Sequence, residues 1–156
     1  MLENSYKSLE NKIMNEEKNK RFTKIEDMLA WQKAKQLTIK IYEITNESLF
    51  SKDFGLKDQI RRAAVSVPSN IAEGFGRGGT NEFKNFSSIA KGSLYEVKTQ
   101  LIIAYELGLV KENIKQQLIT DIEEVTGMIA GLIKYLKNTE IKGSKYSSDK
   151  TQTTKN

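Results

Sequence analysis

The sequence contains no cysteine and no histidine, and one proline among 156 residues. Without cysteine there is no disulfide framework, thiolate nucleophile or zinc–thiolate site. Without histidine the usual general base, the Ser-His-Asp triad and the Glu-x-x-His motif of di-iron bundles are excluded. What remains is carboxylate, lysine or tyrosine chemistry, or a magnesium site. The chain therefore reads as non-catalytic, with no metal, cofactor or small-molecule substrate expected. Scarce proline, beside ten glycines lying mostly at segment ends, favours helices over a turn-rich β fold. Long apolar runs are missing as well. None approaches the roughly 18 residues of a spanning helix, and residues 1–20 have no apolar stretch of the signal-peptide kind. A cytoplasmic protein without membrane contact is expected.

Charge is plentiful but nearly balanced. The chain carries 25 basic and 20 acidic groups, a net of +5. Residues 1–21 take five basic and four acidic of these, and 138–156 take four and two, which leaves 16 against 14 between them. Such a balance permits nucleic-acid binding without demanding it.

Four amphipathic segments follow one another, with no internal repeat. The first runs from about Glu26 to Ser48. Its apolar residues Ala30, Trp31, Ala34, Leu37, Ile41 and Ile44 share an arc of about 140° with Thr38 and Thr45, while Ile39 falls on the polar side. Trp31 reads as a core anchor. The stretch from Ser51 to Gly55 reads as a turn. In the second segment Leu56, Ile60, Ala63, Ala64, Val67 and Ile71 form the stripe. Pro68 removes the N–H that would bond the Ala64 carbonyl, so either a kink or two shorter helices are expected. The run from Gly74 to Gly79 reads as a break, with Thr80 as N-cap of the third segment. There Phe83, Phe86, Ala90, Leu94, Val97, Leu101 and Ala104 are spaced for one face, and Gly108 supplies the helix-ending C′ position. Tyr95 and Ile102 point away from that stripe. In the fourth, Ile114, Leu118, Ile122, Val125, Ile129, Leu132 and Leu136 recur at spacings of four and three. Gly127 and Gly131 lie on its back, either tolerated or admitting another backbone.

The expected architecture is an all-α, antiparallel up-down-up-down four-helix bundle with a kinked second helix, over residues 22–138. Residues 1–21 form a charged arm, either an extra helix or disordered, and 139–156 a flexible polar tail.

Two features invite a functional reading. The Gly74–Gly79 run matches the G-x-G-x-x-G pattern, but a helix precedes it where a dinucleotide fold requires a strand. It is then either a simple chain reversal or a set of free N–H groups that hold phosphate beside Arg77. The back of the second segment gathers Arg62, Ser66, Ser69, Asn70, Glu73 and Arg77 within about 100° of arc. That strip is a solvated face, a polar subunit interface or a phosphate-contacting surface. The candidate nucleic-acid contacts are Arg62, Arg77, Arg61 and Lys84, with Arg61 nearest the core edge. The candidate interface residues are Ile39, Tyr95, Ile102, Asn70 and Glu73.

Several stretches resemble one family. They are Ile25 to Ala34 (IEDMLAWQKA), Gln59 to Arg77 (QIRRAAVSVPSNIAEGFGR), Ile89 to Leu94, and Leu107-Gly108-Leu109. Together they are similar to the 23S rRNA intervening-sequence proteins over about residues 22–137. The resemblance implies a bacterial four-helix bundle that assembles as a homopentamer. It also implies kinship with the accessory proteins of diversity-generating retroelements, which bind nucleic acid and a reverse transcriptase. Arg61, Arg62, Ser66, Pro68, Asn70, Glu73 and Arg77 fall at signature positions. The reading that results is a non-catalytic homo-oligomer binding nucleic acid, RNA in particular, through basic residues. The alternative is a protein-interaction scaffold or reverse-transcriptase accessory subunit without nucleic-acid specificity of its own.

Overall fold

The computed structural model describes residues 23–148, together with residues 4, 7–9, 11 and 12, and side chains as far as Thr139. Four α-helices account for most of it: α1 (Leu29–Thr45), α2 (Phe54–Arg77), α3 (Thr80–Glu106) and α4 (Glu112–Ser148). Short 3-10 turns, Ile25–Asp27 and Phe50–Lys52, precede α1 and α2. No strand occurs among the described residues.

Each helix packs against the next, and α4 closes back on α1. Cross-helix bonds fix every pair as antiparallel. Thr38 reaches Ala64 while Thr45 reaches Arg61. Ser66 meets Ser93 while Phe75 meets Phe83. Lys33 pairs with Glu124 and Lys40 with Asp121. The interior holds Leu37 and Ile41 of α1, Ile60, Val67 and Ile71 of α2, Leu94, Val97 and Leu101 of α3, and Ile122, Val125 and Ile129 of α4. These are the stripes that the spacing predicts. Trp31 packs on this core from its edge, half-buried. Met128 of α4 and two residues outside the α-helices are fully buried beyond the stripes. Met28 precedes α1, and Phe50 closes the core where α1 turns into α2.

Helix α2 runs unbroken through Pro68, so the expectation of two shorter helices is overturned. The reason is a replacement donor. The Thr38 hydroxyl of α1 lies 2.9 Å from the Ala64 carbonyl that proline deprives of its N–H. It lies equally close to its own Ala34 carbonyl, so one proton serves both acceptors. A buried carbonyl without any donor would cost about 1–3 kcal/mol.

The expected break at Gly74–Gly79 is also narrower than the glycines suggest. Gly74 and Gly76 are helical, and α2 ends only at Gly78, whose φ of 75° is the left-handed conformation glycine adopts freely. Gly74 serves packing instead. A Cβ there would stand 2.9 Å from atoms of both Phe83 and Phe86, so its absence lets α3 approach. Thr80 is not the N-cap but the first residue of α3. Gly79 holds the cap position in an extended conformation, and no side-chain cap bond forms. Gly108 does occupy the expected C′ position. Its N–H bonds the Tyr105 carbonyl, and that of Leu109 bonds Ala104, the paired bonds of a Schellman ending.

Of the charged N-terminal arm, the described residues are helical, and Leu9 packs against Ala30 and Met128. Its remaining residues lie outside those described, as do 149–156 of the expected tail. Helix α4 itself continues to Ser148. Within the chain, nothing approaches within 4 Å of a Cβ built at Gly131.

Thr38→Val should lower the unfolding free energy in urea by about 1–3 kcal/mol, because it strands the Ala64 carbonyl. In a Pro68→Ala background, where the N–H returns, the same substitution should cost less than about 1 kcal/mol.

Candidate nucleic-acid interface

The four cations singled out in the sequence have different fates in the fold. Arg61 is committed internally: its Nε donates to Thr45 Oγ1 and an Nη to Asn46 Oδ1, each at 2.8 Å, and its plane lies 4.4 Å over the Tyr42 ring. These bonds tie α2 to the end of α1. Arg77 donates to Glu73 at 2.8 Å, one turn back, and covers the Phe86 ring. Arg62 is far more open, with a loose 3.6 Å contact to Asp58. Arg62 and Arg77 are 15 residues apart on one helix, or about 22 Å. Lys84, on α3, is half-buried and engaged by a partner.

The candidate interface residues are likewise dispersed. Asn70 donates from Nδ2 to the Ser66 carbonyl and to Ser66 Oγ, and Ser66 Oγ meets Ser93 Oγ at 2.9 Å. That chain of bonds joins α2 to α3 within one molecule. Glu73 is held by Arg77. Ile39 is half exposed on the outer α1–α2 face, while Tyr95 and Ile102 are exposed on the opposite, α3–α4 face.

On that second face the fold assembles a cationic seam. Lys84, Lys91 and Lys98 recur every seven residues, within about 40° of arc on α3, at steps of about 10.5 Å. Lys98 Nζ lies 3.2 Å from Glu123 of α4. Because the two helices are antiparallel, each step toward the start of α3 is matched by one toward the end of α4. Lys137 is therefore level with Lys84, and Lys134 falls between Lys84 and Lys91. Both α4 lysines are exposed. On the facing arcs of α3 and α4, from Thr80 to Ile102 and from Ile119 to Thr139, the one acid is Glu123. Lys91, Lys134 and Lys137 have no acidic partner among the described residues.

Tyr95 projects between Lys91 and Lys98, 59% exposed. Beside it a cavity of about 280 Å³ opens between the helices, lined by Leu94, Tyr95 and Lys98 of α3 and Ile122, Glu123 and Gly127 of α4. The seam thus sets a line of lysines beside an exposed aromatic ring.

The far end of the same face is electrostatically different. Glu112, first residue of α4, accepts from the Tyr105 hydroxyl, from Gln116 and from Lys115, which lowers its carboxyl to about 2. The start of a helix favours the same charged form. The bond to Glu112 in turn pushes the Tyr105 phenol up, and Lys115 Nζ rests 3.8 Å from the centre of the Tyr105 ring.

Four antiparallel helices around a single interior, with charge concentrated on one seam, define a helical-bundle protein. This chain belongs to the 23S rRNA-intervening sequence protein family, whose model matches residues 26–131. Its fold is similar to that of a protein of unknown function from the S23 ribosomal protein family of Bacteroides thetaiotaomicron. The two share a TM-score of 0.62 and 22% identity, over 68% of this chain and 99% of the other. At that identity the likeness concerns the fold. A comparison with curated proteins gives no match.

Glu112 yields a prediction with a defined sign. A carboxyl held below its ordinary value of 4.5 adds stability above that pH, and the contribution is lost as pH falls toward about 2. Glu112→Gln should flatten the dependence of thermal unfolding on pH between those values, measured by circular dichroism.

Proposed function

We propose that this protein is a non-catalytic, self-associating bundle that binds RNA along the α3–α4 seam. One observation carries the reading: Lys91, Lys134 and Lys137, on facing arcs of α3 and α4, have no acidic partner among the described residues. Local density matters here more than net charge, because screening confines each cation's influence to about 8–10 Å at ordinary salt. The steps between lysines are close to that length, so neighbouring phosphates of a strand laid along the seam each meet a cation.

Self-association is supported by the exposed aliphatic and aromatic residues on two opposite faces. Ile39, Tyr42 and Val65 lie on the α1–α2 side, and Tyr95 and Ile102 on the α3–α4 side. Two different patches joined head to tail generate a ring where the rotation between copies closes, the arrangement of the pentamer that family resemblance implies. Tyr95 and Ile102 sit toward the lower half of their face, while Lys84, Lys91, Lys134 and Lys137 occupy the upper half. A neighbouring copy on the lower half leaves Lys91, Lys134 and Lys137 open. Repetition around a ring then multiplies weak contacts by avidity.

Fluorescence anisotropy with a labelled single-stranded RNA tests the seam. Lys91→Glu with Lys134→Glu should weaken binding by about tenfold or more and reduce the slope of log affinity against log salt by about 1.4, or 0.7 per lost phosphate contact. Unchanged affinity with the native mass intact would count against the seam, and no binding at low salt against the RNA reading as a whole. Separately, Ile39→Asp with Ile102→Asp should reduce the native mass to that of one chain.

A further inference from the structure

The base of the bundle, where α1 ends and α4 begins, carries a second concavity unrelated to the seam. It encloses about 560 Å³ between the end of α1 with its following turn and the α3–α4 turn. Its apolar lining comes from Ile44 and Leu49 on one side and Leu109, Val110 and Ile114 on the other. Leu49 is 59% exposed, and Leu107, next to the lining residue Gly108, is 61% exposed. An aliphatic slot this open leaves apolar surface that a partner would bury.

The charges around the slot specify what fits it. Glu43 and Glu47 line the α1 wall one helical turn apart, about 6 Å. Neither carboxylate has an ion-pair partner among the described residues. They also sit in the last turn of α1 and just beyond it, where the helix dipole adds further negative potential. Lys111 alone stands on the opposite wall. The acids are thus where a cation is wanted, and no cation among the described residues pairs with them.

We propose that this slot docks a helical segment of a partner protein that presents aliphatic side chains flanked by two basic residues one turn apart. The aliphatic groups enter between Leu49 and Val110, and the basic pair meets Glu43 and Glu47. Such a segment lies by one face in an apolar groove, the familiar mode of helix-in-groove recognition. Lys111 fixes its direction, since a basic residue on that side is repelled. The slot is at the end of the bundle rather than on its sides, so a ring built through the side faces leaves it free.

A short amphipathic leucine–lysine peptide serves as probe for the full-length protein, with a leucine–glutamate peptide of the same periodicity as control. The lysine peptide should bind and shift the amide resonances of Ile44, Leu49, Leu109 and Val110, while the glutamate peptide should not. Glu43→Lys with Glu47→Lys should weaken binding by about tenfold or more, and Lys111→Glu should strengthen it. All three positions are exposed, so an unchanged circular dichroism spectrum is expected. Leu49→Ser should weaken binding without altering either charge. Equal binding of the two peptides, shifts confined to other surfaces, or indifference to the charge reversals would overturn the proposal. RNA affinity is expected to be unaffected in every variant.

Discussion

The rest of the molecule depends on one dry interior to which all four helices contribute. Ile41, Ile60, Leu94 and Ile129, one from each helix, are fully enclosed, and burying each such side chain is worth about 1.5–3 kcal/mol. A shared interior also dictates what happens to polar groups at its margin, because an unbonded donor or acceptor there is costly. Thr45 is fully buried and bonds its own helix while receiving Arg61. Ser93, nearly buried, meets Ser66. Thr38 attends to the carbonyl that Pro68 leaves open. Ser66 and Asn70, two residues of the polar strip on α2, are therefore part of the hydrogen bonding that lets α2 lie against α3.

The distinction explains which parts of the protein are legible in its sequence. The stripes of Leu118 to Leu136 or Ile60 to Ile71 are periodic over several turns, and periodicity alone places them inside. Phe50 and Met28 escape because they plug the ends of the core from short non-α segments, where no period applies. The glycine run from Gly74 misleads for a related reason. Glycine suggests a turn when neighbours in sequence are considered, yet Gly74 answers to Phe83 and Phe86 across the helix pair. Thr80 is a plausible cap by type, but the left-handed Gly78 and extended Gly79 already set the entry to α3. Of the cationic seam, Lys84 alone is singled out from the sequence. Lys84, Lys91 and Lys98 recur by sevens in plain sight, whereas Lys134 and Lys137 join them only through the pairing of α3 with α4.

The spacing by sevens has a physical consequence of its own. A straight α-helix repeats every 3.6 residues, so positions seven apart drift by about 20° per step. Helices in bundles cross at a similar angle of about 20°. Side chains at heptad intervals therefore follow the boundary with a neighbouring helix instead of winding away from it. This keeps all three α3 lysines beside α4 over two heptads, where a spacing of four would have carried them around to the α2 side.

Separation along the bundle lets the charges act independently despite a nearly neutral body. Following the pairings of Lys40 with Asp121 and of Lys98 with Glu123 places Glu47 level with the end of α3. That is some 16 residues, or about 24 Å, from Lys91. Two to three screening lengths intervene at physiological salt, so the acids at the base neither neutralise the seam nor repel a strand lying on it. A chain whose totals almost cancel can thus present a cationic edge at one end and an anionic slot at the other. What decides the sign felt by a partner is the register of the helices, not the sum of their residues.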